Sequence, residues 1–372
     1  MRIDYIWYSK FLPLPKDTHK KIALVTISLA GGGAERSLGI LSTMLSGLGH
    51  TVHIVTLRED IEVPYTGTLF NLGSYKFTDD SLTARWGHLK RLRAYLIQHN
   101  FDLIIDNRSR PSLLKEICYT QYIYRNLKVA FMVRSARLET YFPKPISIAK
   151  RLYNNSNFIG VSKRICDKIT ETYGFRNTNH IYNAIPQFSV AETSSTLPST
   201  YILGYGRLVD DVKNFSLMIS AFAKANLKTP LVIMGDGQDN EKLVILAKKL
   251  NVSNKIYFVG HQRQPSSIVK NALFTLLTSH YEGFPMVLVE SLSLGTPVIS
   301  VDCESGPNEI VQHGHNGLLV PNYDIVALSN AIRMFVLDGE LLAHCKSNAK
   351  DSVAHLSQEQ ISNDWNTLIN SL

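Results

Sequence analysis

Two carboxylates bound the run Glu282-Gly283-Phe284-Pro285-Met286-Val287-Leu288-Val289-Glu290. Carboxylates accept hydrogen bonds from hydroxyl groups, so a pair at this spacing suits two polyol regions of one ligand. Pro285 fits the first position of a helix. Glu282 would then stand in the loop before the helix, and Glu290 more than one turn inside it. The helix N-terminus between them favours anions. Two cations, Arg207 and Lys213, follow Gly204-Tyr205-Gly206. An arginine grips a phosphate through two hydrogen bonds, and a lysine adds a point charge. Together they suit the two phosphates of a leaving diphosphate. A third candidate is Ala30-Gly31-Gly32-Gly33-Ala34-Glu35-Arg36, where Gly32 and Gly33 would let the backbone approach a diphosphate at a helix start. It is neither GxGxxG nor a P-loop, and a plain strand-to-helix turn fits it too. One surface glutamate and one ordinary helix glutamate would likewise fit Glu282 and Glu290 taken in isolation.

These groups need elements to position them. Residues 22–27 form a short apolar run of the kind found in buried parallel strands. Glycines at 31–33, a helical stretch at 34–48 and a strand at 52–57 complete a β-α-β unit. The alternation continues with a helix at 82–99, strands at 101–106, 127–133 and 158–161, a helix at 163–173 and an extended stretch at 180–186. Residues 189–200 are Ser/Thr-rich and read as an interdomain linker. A second series follows, with strands expected at 201–205, 230–234, 255–259, 273–277 and 297–301. Its helices are expected at 214–225, 239–250, 286–294 and 324–337. The expectation is an α/β protein of two Rossmann-like doubly wound domains, 1–195 and 196–355. Residues 1–20 would be an extension before the first strand, and 356–372 a helix packing back on the first domain. Doubly wound folds bind ligands at the carboxyl ends of their strands, and a cleft between two of them suits two substrates.

A chain of 372 residues exceeds one ordinary core. Its 45% hydrophobic and 19% charged residues fit a soluble globular protein. Cys118, Cys166, Cys303 and Cys345 lie far apart, without metal-ligand spacing, which implies a reducing compartment and no structural zinc or other metal site. No apolar run of about 18 residues occurs, and the N-terminus lacks a secretory pattern, so a cytoplasmic protein is expected. Residues 1–195 hold 26 Lys and Arg against 15 Asp and Glu, a net +11, whereas residues 196–372 carry −3. Such asymmetry suggests an anionic partner for the first half: phosphates, an anionic membrane surface or nucleic acid. A solvated basic surface without a partner also fits.

Arg207, Lys213, the Glu282–Glu290 pair and the following Gly295-Thr296-Pro297-Val298-Ile299 resemble the signature of the retaining glycosyltransferases of family 4. Gly314-His315-Asn316-Gly317-Leu318-Leu319-Val320 resembles that family's next stretch. The resemblance is close over the second domain and loose over the first, through Gly31-Gly32-Gly33. It implies the GT-B architecture, with two Rossmann-like domains facing a central cleft. A nucleotide-diphosphate sugar would bind mainly to the second domain, with no cofactor and no essential metal. By resemblance, Arg207 and Lys213 would hold and stabilise the diphosphate, Glu290 would accept hydrogen bonds from the ribose, and Glu282 would contact the sugar. Gly206 and backbone groups of Phe284, Pro285, Met286 and Val287 would lie near the donor, and His261 near its base. Family members often carry a histidine after a strand like that at 129–133, where this sequence has Arg134-Ser135. Arg134, and Arg108 after the strand at 101–106, are therefore candidates for an anionic acceptor, with structural pairing to Asp106 or Glu139 as the alternative. The stretch 301–310 resembles a subset using UDP-linked hexoses or N-acetylhexosamines, which favours UDP over GDP.

The expected activity is hexosyl transfer to a glycan or lipid-linked acceptor in surface polysaccharide or glycolipid synthesis. The basic first half would rest on the inner face of the cell membrane. A UDP-sugar epimerase on the same architecture is the alternative. A non-catalytic anion- or membrane-binding protein, or a nucleic-acid binder, would have no need of Arg207, Lys213, Glu282 and Glu290 together.

Overall fold

The structure is a computed structural model that describes residues 19–75, 82–188 and 197–372. Most of the expected extension at 1–20 and of the expected linker at 189–200 lies outside the described residues. The chain forms two compact units, one running to Ala184 and including Ser357–Leu372, the other Ile185–Leu356. The division thus falls at Ala184, before the Ser/Thr-rich stretch, because the backbone N–H of Ile185 already bonds to Leu356 O in the second unit.

The first unit is built on seven parallel strands: β1 (Lys21–Thr26), β2 (Thr51–Thr56), β3 (Thr68–Asn71), β4 (Leu103–Asp106), β5 (Val129–Val133), β6 (Asn157–Gly160) and β7 (Thr178–His180). Their order is β3-β2-β1-β4-β5-β6-β7. Nearly every residue of β1 and β4 is buried, as strands covered on both faces require. The covering helices are α1 (Gly33–Gly47), α2 (Leu82–Gln98), α3 (Leu113–Cys118), α4 (Ile146–Leu152) and α5 (Lys163–Tyr173). In α1, Leu38, Leu41, Met44 and Leu45 make one buried stripe at helical spacing. Gly39 on that stripe lets the Pro64 carbonyl approach, since a Cβ there would lie 2.3 Å from Pro64 O. Ser162 caps α5 by accepting the Ile165 N–H, and Gly174, at φ 74°, ends it.

The second unit has six parallel strands: β8 (Ile202–Tyr205), β9 (Leu231–Met234), β10 (Ile256–Phe258), β11 (Thr275–Leu277), β12 (Val298–Asp302) and β13 (Gly317–Pro321), ordered β10-β9-β8-β11-β12-β13. Its helices are α6 (Asp210–Lys213), α7 (Phe215–Ala225), α8 (Asn240–Lys249), α9 (Ser266–Asn271), α10 (Met286–Ser293), α11 (Pro307–Ile310), α12 (Ile325–Leu337) and α13 (Gly339–Ser352). Phe215, Phe222, Phe274 and Phe335 are fully enclosed in its core. The chain then returns to the first unit through α14 (Gln358–Ser371), whose buried Trp365, Leu368 and Ile369 belong to the face packed towards α1. The Lys20 ammonium donates to Ile369 O at 2.5 Å. No helix among the described residues is long and apolar enough to cross a membrane.

In both sheets the first strand lies inside, and the chain winds outward first to one side and then to the other. The reversals fall between β1 and β4 and between β8 and β11. At such a point two neighbouring strands send their following loops apart and leave a crevice at their carboxyl ends.

One consequence of packing in the first unit is measurable. Burial, aided by His19 and Lys20 for His50 and by His99 and Lys21 for His53, lowers both imidazoles from 6.5 to about 4. Between those values the unfolded chain binds protons that the folded chain refuses. The contribution of these two histidines is therefore constant above pH 6.5 and falls as the pH drops towards 4. Replacing His53 with Phe should flatten that part of the stability curve in urea titrations; an unchanged slope would show that His53 does not carry it.

Candidate active site

The reversal between β8 and β11 gathers most of the residues singled out for a donor. Gly206 and Arg207 follow β8 directly. Gly206 has φ 144°, and the Gly235 loop after β9 presses so close that a Cβ on Gly235 would lie 1.9 Å from Gly206 O. Only glycine fits that contact. The Arg207 side chain is exposed and makes no hydrogen bond or ion pair among the described residues. Lys213 ends the short α6 and donates to Glu282 Oε1 at 2.6 Å. Ser279 Oγ donates to the same oxygen, also at 2.6 Å. The other carboxylate oxygen, Oε2, has no protein partner among the described residues, and Lys213 keeps two N–H donors beyond the ion pair. The backbone supports this pair. Thr278 Oγ1 donates to the carbonyls of Lys213 and Asn214, and the His280 N–H donates to Val212 O. The loop after β11 is thereby stitched to the turn after β8.

Pro285 occupies the cap of α10 rather than its first position, which corrects the expected placement by one residue. The last non-helical residue is thus the proline, and Met286 and Val287 carry the first N–H groups of the helix. The loop after β12 sets this start: Ser305 Oγ donates to Gly283 O, and a Cβ on Gly306 would lie 2.4 Å from Pro285 Cδ. Phe284 is buried beneath it. Glu290, partly buried, accepts from Tyr205 Oη at 3.2 Å, and the same hydroxyl lies 2.9 Å from Val287 O. His261 is exposed after β10 and Gly260, with its backbone N–H on Asp236 Oδ2 at 3.0 Å. Arg207, Lys213, Glu282, the start of α10, Glu290 and His261 therefore all follow strand ends of one sheet. Ser279 and Tyr205 belong with them and were missed by sequence reading. Ser279, three residues before Glu282, was the visible signal; Tyr205 reads only as a strand residue.

Gly32 and Gly33 lie in the other unit, at the start of α1. Space is open there, since nothing would meet a Cβ on Gly33. The surroundings are acidic, however: Glu35 sits in the first turn, and Glu62 Oε2 stands 3.0 Å from where a Gly31 Cβ would be. Carboxylates already complement the helix dipole.

Arg108 proves to be structural, which corrects its candidacy for the acceptor in favour of the alternative, pairing to Asp106. It is 3% exposed, stacks 3.3 Å above the Tyr119 ring, and bonds Asp106 through both Nε and Nη2, at 3.0 and 2.7 Å. Its Nη1 reaches Glu116 Oε1 at 3.3 Å, and Tyr124 and Tyr153 donate to Asp106 and Glu116. Arg110, enclosed beside it, donates to the carbonyls of Arg108 and Met132. Two buried cations and two buried carboxylates thus balance. Arg134 differs. It donates to Asn107 and Asn183 side-chain oxygens and to Met132 Sδ, and pairs with no carboxylate among the described residues, Glu139 being bound to Arg137 instead. Burial lowers its guanidinium to about 10. It lines a crevice with Ser37, Tyr182, Asn183 and Trp365.

Comparisons with known proteins agree with this frame. Residues 190–352 match the family described as "Glycosyl transferases group 1", and residues 31–187 match "Glycosyltransferase Family 4". The chain belongs to the family 4, group 1 glycosyltransferases. Among curated relatives, this glycosyltransferase is 25% identical over 377 aligned residues to the N-acetylgalactosamine-N,N'-diacetylbacillosaminyl-diphospho-undecaprenol 4-alpha-N-acetylgalactosaminyltransferase of Campylobacter jejuni, covering 93% of this chain and 98% of that one. It is 40% identical to the lipopolysaccharide 1,6-galactosyltransferase of Escherichia coli over a shorter stretch, 31% of this chain and 32% of that one. Among solved structures, Anabaena HepE in complex with UDP-glucose superposes with a TM-score of 0.77 at 20% identity, covering 95% of this chain and all of that one. The group 1 glycosyltransferase fold is GT-B, two Rossmann-like α/β units.

The buried charge cluster around Arg108 yields a direct test. Arg108→Ala strands two buried carboxylates and should cost about 3–5 kcal/mol of unfolding free energy. Denaturant titration checks this; a loss under about 1 kcal/mol would place the cluster in water rather than in the core.

Proposed function

We propose that this glycosyltransferase moves a hexose or N-acetylhexosamine from a UDP-linked donor to a glycan or lipid-linked acceptor, with retention, in surface polysaccharide or lipopolysaccharide synthesis. One observation carries the donor assignment: Lys213 is fixed to Glu282 across the reversal between β8 and β11, beside the unpaired Arg207. The relatives named above act on sugar acceptors of this kind, one of them a diphospho-undecaprenol, and HepE was solved with UDP-glucose.

In this reading Arg207 and the two remaining N–H groups of Lys213 hold the diphosphate, with the start of α10 facing the same charge. These donors are oriented before the bond breaks, so they stabilise the leaving group with little reorganisation. The sugar C1–O bond to phosphate breaks, the acceptor oxygen bonds C1 on the same face, and its proton passes to a phosphate oxygen of the leaving UDP. Glu282 Oε2 meets a sugar hydroxyl, Glu290 receives the ribose hydroxyls, and His261 lies towards the base. Arg134 is the acceptor-side cation. No step calls for a metal or an organic cofactor. The epimerase alternative is not favoured, because the matching families are glycosyltransferases.

UDP-sugar turnover with a lipid-diphosphate acceptor tests the proposal. Lys213→Ala should lower kcat by about a hundredfold or more, since a charge partner of the transition state is lost. Glu290→Ala should instead weaken UDP binding roughly tenfold in calorimetry, the scale of one lost hydrogen bond to a charged group. Native turnover and native UDP affinity in both variants would move the donor site elsewhere. Ser279→Ala should reduce kcat severalfold while leaving the thermal midpoint in place, and loss of both together would mean that Ser279 serves stability alone.

A further inference from the structure

The two helices that follow β4 and β5 turn apolar side chains to water. On α3, Leu114 is 80% exposed and Ile117 is 39% exposed, while Glu116 points inward to the Arg108 cluster. On α4, Ile146 and Ile148 are exposed and Ala149 is the buried residue. Both helices are seated on the same cluster, because Tyr153, the residue that ends α4, donates to Glu116 at 2.8 Å. Singly exposed apolar residues are ordinary on soluble proteins. What sets these apart is their company. Lys115 lies between Leu114 and Ile117, and Lys144, Lys150 and Arg151 flank the two isoleucines. All four cations are exposed, and none forms an ion pair among the described residues. From Thr140 to Cys166 the sequence holds five Lys and Arg and no Asp or Glu.

The second unit offers a control. Helix α12 also exposes Val326, Met334 and Leu337, but there Asp324, Asp338 and Glu340 outnumber the one exposed cation of the helix, Arg333. An apolar patch whose neighbours are acidic on balance is repelled by an anionic surface; one whose neighbours are unpaired cations is drawn to it.

We propose that the exposed faces of α3 and α4 dock this protein on an anionic lipid bilayer, with Leu114, Ile117, Ile146 and Ile148 entering the headgroup boundary and Lys115, Lys144, Lys150 and Arg151 meeting lipid phosphates. Apolar insertion together with several cations is the combination that holds a protein on a membrane without a spanning helix. The inference rests on the reading of a lipid-linked acceptor, since a lipid substrate has to be met at the membrane surface.

The test uses the full chain and vesicles of phosphatidylcholine alone or mixed with phosphatidylglycerol, followed by co-sedimentation. Binding should require phosphatidylglycerol and weaken as salt rises. The pair Lys150→Gln and Arg151→Gln should weaken it roughly thirtyfold, at about 1 kcal/mol per cation. The pair Ile146→Ser and Ile148→Ser should weaken it at every salt concentration. UDP binding measured without vesicles should be native in both pairs; its absence in the unaltered protein would instead count against the donor site. Equal binding to both vesicle types, binding to neither, native vesicle affinity in both variant pairs, or a preference for duplex RNA over anionic vesicles at equal salt would each overturn the proposal.

Discussion

Lys213 and Glu282 are 69 positions apart in the chain and 2.6 Å apart in the structure. What joins them is the winding of the second sheet. β8 and β11 are hydrogen-bonded neighbours although β9 and β10 lie between them in sequence. The loops after two such strands leave in opposite directions and open a crevice that neither could make alone. The ion pair joins those two loops. It limits where Lys213 can put its charge and which oxygen Glu282 can offer. The remaining features follow from it: Ser279 fixes the same oxygen, Thr278 and His280 tie the two loops, and the loop after β12 sets the start of α10.

Much of this was legible in the sequence, and the reason is local. Buried parallel strands read as apolar runs, and glycines at strand ends read as turns, so β1, β2, β4 and β8 lie within two residues of their expected places. The strands that escaped, β3 and β13, and β7, which shares only His180 with the extended stretch expected at 180–186, all stand at sheet edges, and β7 carries polar residues, Thr178-Asn179-His180. An edge strand has one hydrogen-bonded neighbour and no continuous apolar requirement to reveal it. Arg207, Lys213 and Glu282 stood out because each lies in a stretch after a strand, and Glu290 because it lies one turn inside the helix that Pro285 precedes. Ser279 and Tyr205 did not, because their roles depend on a hydrogen bond to a residue on another element.

Arg108 shows the opposite failure. A cation at a strand end beside Asp106 leaves a ligand site and a structural pair both open from sequence, and Glu116, Tyr119, Tyr124 and Tyr153, which enclose it, decide for the pair. Those partners arrive from α3, from the turn after it and from the end of α4, at separations that no local pattern discloses. The burial has a second effect. It anchors α3 and α4 by their inner sides and so leaves their outer sides free to carry apolar residues that the core does not need. Arg134, two strands from β1, kept its neutral partners and its exposure to a crevice instead.

The hydroxyl of Tyr205 has one proton and faces two oxygens, Val287 O at 2.9 Å and Glu290 Oε2 at 3.2 Å. A rotor in that position works as a spare. Were the proposed ribose hydroxyls to donate to Glu290, the tyrosine would still have the Val287 carbonyl as an acceptor. A phenylalanine at 205 would keep the packing and forfeit that exchange, so the loss would register in the empty site and fade in the occupied one.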